Sequence, residues 1–261
     1  MNLSLEGRTA VICGSTQGIG WAIAEELALM GAQCVLLARN EEALREKVNL
    51  LDSTLRQLHR YAVADFSDPE AVRRAIASIV AEGPVDILVN NTGGPPAGPI
   101  IDAPEEAFLQ AFQQHLICNH ILVQSVVPGM KEKGFGRIIN IVSTSVKIPL
   151  KGLGVSNTTR GAVASWAKTL AHELAIHGIT VNNVLPGYTE TGRLESLVRH
   201  NAGRRGITEA ELAQEMQQEI PAGRFGTAAE IAAVAAFLAS PAAAYVNGTS
   251  IPVDGGRTGS I

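Results

Sequence analysis

The stretch GLGVSNTTRGAVASWAKTLAHEL, residues 152–174, puts Ser156 and Arg160 one turn apart at the head of an amphipathic helical pattern. A short hydroxyl beside a permanent cation can hold and polarise an oxygen atom, but a guanidinium cannot give up its proton and an aliphatic hydroxyl is a very weak acid. The pair reads equally as a helix start, with Ser156 as an N-cap worth typically ~1 kcal/mol or as a holder of water. A second stretch, CGSTQGIG, places Gly14, Gly18 and Gly20 between an apolar run and a helical pattern. Glycines at that junction permit a tight turn and close backbone approach, so the free N–H groups of a helix start can face a pyrophosphate.

Such groups need a scaffold, and the chain alternates short β-rich runs with longer helical patterns. TAVICG, AQCVLLA, RYAVADF, VDILVNN, GRIINIVS, ITVNNVLPG and SIPVDGG read as strands; a long helix from Pro104 to Met130 and an excursion over residues 190–220 fall between them. Continuously apolar strands separated by helices imply a parallel sheet covered on both faces. The expected architecture is therefore a single α/β domain over residues 1–261, a Rossmann fold with seven parallel strands.

Composition narrows the function. The chain has 261 residues, 46% of them hydrophobic, and a formal net charge of -4. A slightly acidic average argues against nucleic acid as a partner, since phosphate backbones need a concentrated basic face. Cys13, Cys34 and Cys118 are odd in number and sit in apolar runs, as reduced core residues do. No apolar run nears the ~18 residues of a membrane span and no leader pattern opens the chain. A cytoplasmic location without membrane contact is expected, the sequons at Asn91, Asn157 and Asn247 carry no weight, and no metal site is read.

The glycine spacing G-x-x-x-G-x-G is similar to that of classical short-chain dehydrogenases/reductases, and the resemblance extends over nearly the whole chain. NNTG at Asn90 to Gly93, ADF around Asp65, PGYTET at Pro186 to Thr191, and RFGTAAEIAAVAAFLASPAAAYVNGTSIPVDGG resemble the motifs of that family, 3-oxoacyl-[acyl-carrier-protein] reductases above all. The resemblance implies a dinucleotide site built from Gly14, Ser15, Thr16, Gly18, Ile19 and Gly20, with Asp65 and Phe66 at the adenine. Asn91, Thr92, Gly93, Pro186, Gly187, Thr189 and Thr191 would surround the nicotinamide half. The second strand ends LLARN, where an acid would hold the ribose hydroxyl of NAD and an arginine accepts a 2'-phosphate. Ala38 and Arg39 stand there, which favours NADP(H) over NAD(H).

The family's catalytic set is a Tyr acid, a Lys four residues on, a Ser that orients the carbonyl, and an Asn on the preceding long helix. By resemblance the Ser is Ser143, while Ser156 occupies the Tyr position, Arg160 the Lys position and His115 the Asn position, with Asn119 one turn further on. A phenol titrates at ~10 and an aliphatic hydroxyl far higher, which removes several kcal/mol of proton-transfer driving force. Ser156 is thus a poor acid, and Arg160 can contact the nicotinamide ribose without relaying protons. His115 or Lys147, acting directly or through water on Ser156, is the expected substitute; Lys151 shares that loop and Tyr188 is the tyrosine nearest the site.

The excursion over 190–220 lies where the family keeps a substrate lid. Its Arg193, Arg199, Arg204 and Arg205 read as a solvated face balanced by Glu195, Glu209, Glu211, Glu215 and Glu219. The resemblance implies an NADP(H)-dependent oxidoreductase acting on a small carbonyl or alcohol substrate, as a homotetramer or homodimer, with a modified proton relay. The alternative is an NADP(H)-binding protein that has lost hydride chemistry and serves as a sensor or a partner subunit.

Overall fold

The computed structural model describes residues 1–260, so Ile261 lies outside the described residues. In chain order the elements are β1 (Thr9–Cys13), α1 (Gly18–Leu29), β2 (Gln33–Ala38), α2 (Glu41–Val48), β3 (Arg60–Val63), α3 (Pro69–Ala81), β4 (Ile87–Asn90) and α4 (Glu105–Phe112). They continue with α5 (Cys118–Lys133), β5 (Gly136–Ile141), α6 (Gly154–Leu174), β6 (Ile179–Pro186), α7 (Gly192–Arg205), α8 (Glu209–Gln218), α9 (Ala228–Ala239) and β7 (Ser250–Val253).

The strands form one seven-stranded sheet in the order β3-β2-β1-β4-β5-β6-β7, and every pairing is parallel. Parallel neighbours need crossover connections, and these put helices on both faces. On one face α1 and α9 pack over Ile12, Leu36 and Val184; on the other α3, α5 and α6 cover Val11, Leu88 and Ile138. Cys13, Cys34 and Cys118 are buried and free within these layers. The chain winds outward in both directions from the central pair β1 and β4. That reversal opens a crevice beyond the carboxyl ends of the two strands, the place where open α/β sheets take ligands.

Local chemistry sets where the helices start. Asn40 and Asp68 accept first-turn N–H groups at α2 and α3, and Thr208–Glu211 and Thr227–Glu230 form capping boxes at α8 and α9. Two expectations need correction. Ser156 is not an N-cap: α6 begins at Gly154 behind Leu153, so Ser156 sits inside the first turn, its side chain turned inward by packing. The long helix is not uniform either. It runs from Glu105 to Lys133 with a π-helical turn over Gln113–Ile117, where the extra residue re-aims His115 into the interior.

The excursion folds as the helix pair α7 and α8, with a small core of its own made by Leu194, Val198, Leu212, Met216 and Phe225. Among the described residues no helix is long and apolar enough to cross a membrane.

Candidate active site

Two adjoining cavities open beyond the carboxyl edge of the sheet. The first, of about 500 Å³, follows the loop between β1 and α1, passes the ends of β2 and β3, and is closed by residues 91–94 and the start of α7. The second, of about 210 Å³, lies between the end of β5, the head of α6 and the segment after β6. Asn91, Thr92, Gly94, Thr191, Arg193 and Ile19 line both.

The loop of the first cavity is built for close backbone approach. Gly14 and Gly18 take φ of +59° and +55°, a left-handed conformation that costs glycine nothing. Asn91 staples this turn to β4, its Nδ2 donating to the carbonyls of Cys13 and Gly14 at 3.2 and 3.3 Å. No side chain caps α1, so its first-turn N–H groups face the cavity. Arg39, exposed at the end of β2, forms no ion pair among the described residues. Opposite it, the Asp65 carboxylate accepts from Ser67 N at 2.9 Å, and that hydrogen bond holds its pKa below the ordinary value.

This donor set fits a dinucleotide: bare backbone for a pyrophosphate, an unpaired cation for a 2'-phosphate, and Phe66 with Ala38 and Ala64 for an adenine. Thr16 and Gly93 line it as well. Ser15 and Gly20 do not line the cavity, and their positions are set by packing. Ser15 is fully buried with its Oγ unpartnered, and a Cβ on Gly20 would collide with the carbonyl oxygen of Gly14. Gln17, Gly94 and Gly192 complete the lining and carry no side-chain signal that a motif would single out.

In the second cavity Ser143, Ser156, Arg160, Pro186, Gly187 and Thr189 come together. Ser143 caps a short 3-10 turn, its Oγ accepting from Ser145 N at 3.1 Å, while among the described residues the Ser156 hydroxyl has no hydrogen-bond partner. The buried Arg160 donates to the carbonyls of Ile141 at 3.1 Å and Thr92 at 3.4 Å. Burial, then the neighbouring Arg193, brings its pKa down to about 10, so it stays charged at neutral pH.

The expected proton sources do not reach the cavity. His115 is 1% exposed, its Nδ1 lies 2.5 Å from Thr92 Oγ1 and its Nε2 has no partner. Burial, followed by the charges of Arg160 and Arg193, lowers its pKa to about 3, so it is neutral at pH 7 and meets the cavity only through Thr92. Asn119 is buried on the same stretch, and Lys147 and Lys151 are exposed outside the lining. Lys168 donates to Gly248 O, away from the site. Tyr188 does line the cavity. Its Oη accepts from Arg257 Nη2 at 3.1 Å, which leaves the phenolic proton free to donate. Burial pushes the phenol's pKa up, and Arg257 opposes that shift.

Of the four arginines of the α7–α8 excursion, Arg199 and Arg205 pair with Glu209 and Glu215 as a solvated face would, and Arg204 is exposed. Arg193 departs from that reading. It turns back to the carbonyls of Gly94 and Pro95 at 2.9 and 3.1 Å and lines both cavities. Its place in the first turn after the PGYTET stretch was the available signal. Arg257, directly after the DGG that follows β7, also escaped the sequence reading.

With this geometry in place, similarity to known proteins becomes informative. Residues 14–258 match the family described as enoyl-(acyl carrier protein) reductase. A 3-oxoacyl-[acyl-carrier-protein] reductase of Vibrio cholerae is 34% identical over 255 residues, covering 97% of this chain and 98% of that protein. A gluconate 5-dehydrogenase of Gluconobacter oxydans is 33% identical over 265 residues, covering 99% and 97%. The crystal structure of L-sorbose reductase from Gluconobacter frateurii, complexed with NADPH and L-sorbose, superposes with a TM-score of 0.93 at 32% identity over the full length of both chains.

Proposed function

The chain belongs to the short-chain dehydrogenase/reductase family, and from that premise we propose an NADP(H)-dependent oxidoreductase that interconverts a carbonyl and a secondary alcohol by a proton relay of its own. The observation that carries the reading is the shared wall: a nucleotide-shaped cavity and a hydroxyl-lined cavity meet at Asn91, Thr92 and Thr191. When bound, the nicotinamide supplies or takes the hydride. The loop from Gly14 to Ile19 and the first turn of α1 hold the pyrophosphate, Arg39 the 2'-phosphate, and Asp65 with Phe66 the adenine end. Asn91, Thr92, Gly93, Pro186, Gly187, Thr189 and Thr191 shape the nicotinamide side, and Arg160 contacts its ribose.

Ser143 orients the substrate oxygen. Ser156, a poor acid, holds a water molecule. Tyr188 donates the proton from its Oη, kept free for that task by the hydrogen bond from Arg257. Residues 1–261 act as one dinucleotide-binding domain with α7 and α8 as its lid, in the cytoplasm and as a homodimer or homotetramer.

The deciding experiment titrates NADPH and NADH by fluorescence and then mixes the complex with ketones, aldehydes and 3-oxoacyl thioesters. NADPH oxidation with any of these is the expected result. Tight NADPH binding with no oxidation across the panel would replace the enzyme by the sensor or partner subunit.

A further inference from the structure

We propose that the substrate of the second cavity carries a carboxylate, bound between Arg193 and Arg160. The inference deepens the oxidoreductase reading and rests on it for the carbonyl, but the charge argument stands on the cavity itself. Three guanidinium groups line that cavity, those of Arg160, Arg193 and Arg257, and no Asp or Glu does. Arg257 is neutralised by Glu219 at 2.8 Å. Arg160 and Arg193 form no ion pair among the described residues, and both have only backbone carbonyls as partners.

The two cations also crowd one spot. A Cβ placed on Gly94 would lie 2.8 Å from Arg193 Nη2 and 3.6 Å from Arg160 Nη2. Each guanidinium has five N–H donors in a fixed fork, and a carbonyl oxygen satisfies donors without cancelling charge. Two like charges held this close beside a partly desolvated cavity repel each other until an anion bridges them; burial lowers the pKa of both arginines, and at Arg160 the neighbouring charge of Arg193 adds to it.

The pyrophosphate of the cofactor does not account for the pair. It belongs with the glycine loop in the first cavity, which Arg193 lines and Arg160 does not. Arg160 instead lines the hollow together with Ser143 and Tyr188, the groups assigned above to the reacting carbonyl. Leu150, Leu153, Leu194 and Leu197 form the apolar part of the wall, and the volume of about 210 Å³ suits a short oxo acid better than a polyphosphate or a thioester of a large carrier.

The test measures binding by calorimetry, with and without saturating NADPH, for 2-oxobutanoate, 3-oxobutanoate and 4-oxopentanoate and the methyl ester of each. At least one acid binds tenfold or more tighter than its ester, and Arg193→Gln and Arg160→Gln each remove that preference. Arg193→Gln, at an exposed position, keeps the fold. Acids that bind no better than their esters, or an Arg193→Gln protein that loses tenfold in NADPH affinity while keeping the acid preference, overturn the proposal. Failure of the cofactor reading looks different: NADPH does not bind, while the acid-to-ester ratio in the free protein is still read.

Discussion

His115 illustrates how a residue's surroundings decide its chemistry. Imidazole is the usual proton carrier at neutral pH, yet this ring sits in a π turn with Thr92 as its one polar partner and its pKa is driven to about 3. The unfolded chain binds a proton near pH 6.5 that the folded chain refuses until about pH 3, so stability rises with pH across that window and is lost as pH falls through it. The contribution has a limiting slope of ~1.36 kcal/mol per pH unit. In His115→Asn, urea midpoints at pH 4.5 and 7 should lie closer together than in the parent; an unchanged gap would assign the acid sensitivity to other groups. Arg39 is the residue proposed to set cofactor choice. Arg39→Glu should weaken NADPH tenfold or more and leave NADH unchanged or tighter in fluorescence titrations, because a carboxylate repels the 2'-phosphate and accepts a ribose hydroxyl. With Tyr188 as the proposed acid, Tyr188→Phe should lower the single-turnover hydride-transfer rate by a factor of roughly 10² to 10⁴, the worth of general acid catalysis, with NADPH affinity unchanged.

Among the elements, the loop between β1 and α1 and the strand β4 work as a unit, because Asn91 from the end of β4 holds the turn proposed to present the pyrophosphate donors. Close packing at Gly20 is part of that unit. Gly20→Ala would drive a methyl group into the Gly14 carbonyl and to 2.6 Å from Asn91 Nδ2, so NADPH binding should fall more than tenfold even where the circular dichroism spectrum is retained. The opposite end of β4 is secured differently. Asp86, fully buried, accepts from Arg8 at 3.0 Å, Lys133 at 2.9 Å and Thr9 N at 2.9 Å, tying the start of β1, the end of α5 and the entry to β4 together. Asp86→Ala should cost about 3 kcal/mol of unfolding free energy, near the low end for a broken buried ion pair because both cations stay partly solvated. Cofactor affinity should change little, since the site lies at the other end of the strand.

For the whole molecule, binding at the sheet's carboxyl edge is linked to folding, since the site exists only when β1, β2 and β4 are assembled. NADPH at a hundred times its Kd should raise the unfolding free energy by about 2.7 kcal/mol in urea titrations, and in Arg39→Glu the same concentration should do much less. The layered fold was legible from the sequence because strand and helix periods alternate without interruption and the strands are apolar on both faces. The glycine turn, NNTG and Arg39 were legible because a dinucleotide's backbone donors come from one short segment with a fixed order. Helix and strand patterns, a slightly acidic composition and these motifs together determined the fold class and the choice of NADP(H), and supplied the proposed nucleotide half of the site. What tertiary structure alone decided is the chemistry of the second cavity. Burial silenced His115, packing carried Ser156 past the cap position into the first turn of α6, and the fold brought Arg193, Tyr188 and Arg257 to one cavity from separate stretches of the chain. The physical reason is that desolvation and like-charge proximity depend on distance and burial in space, which spacing along the chain does not encode.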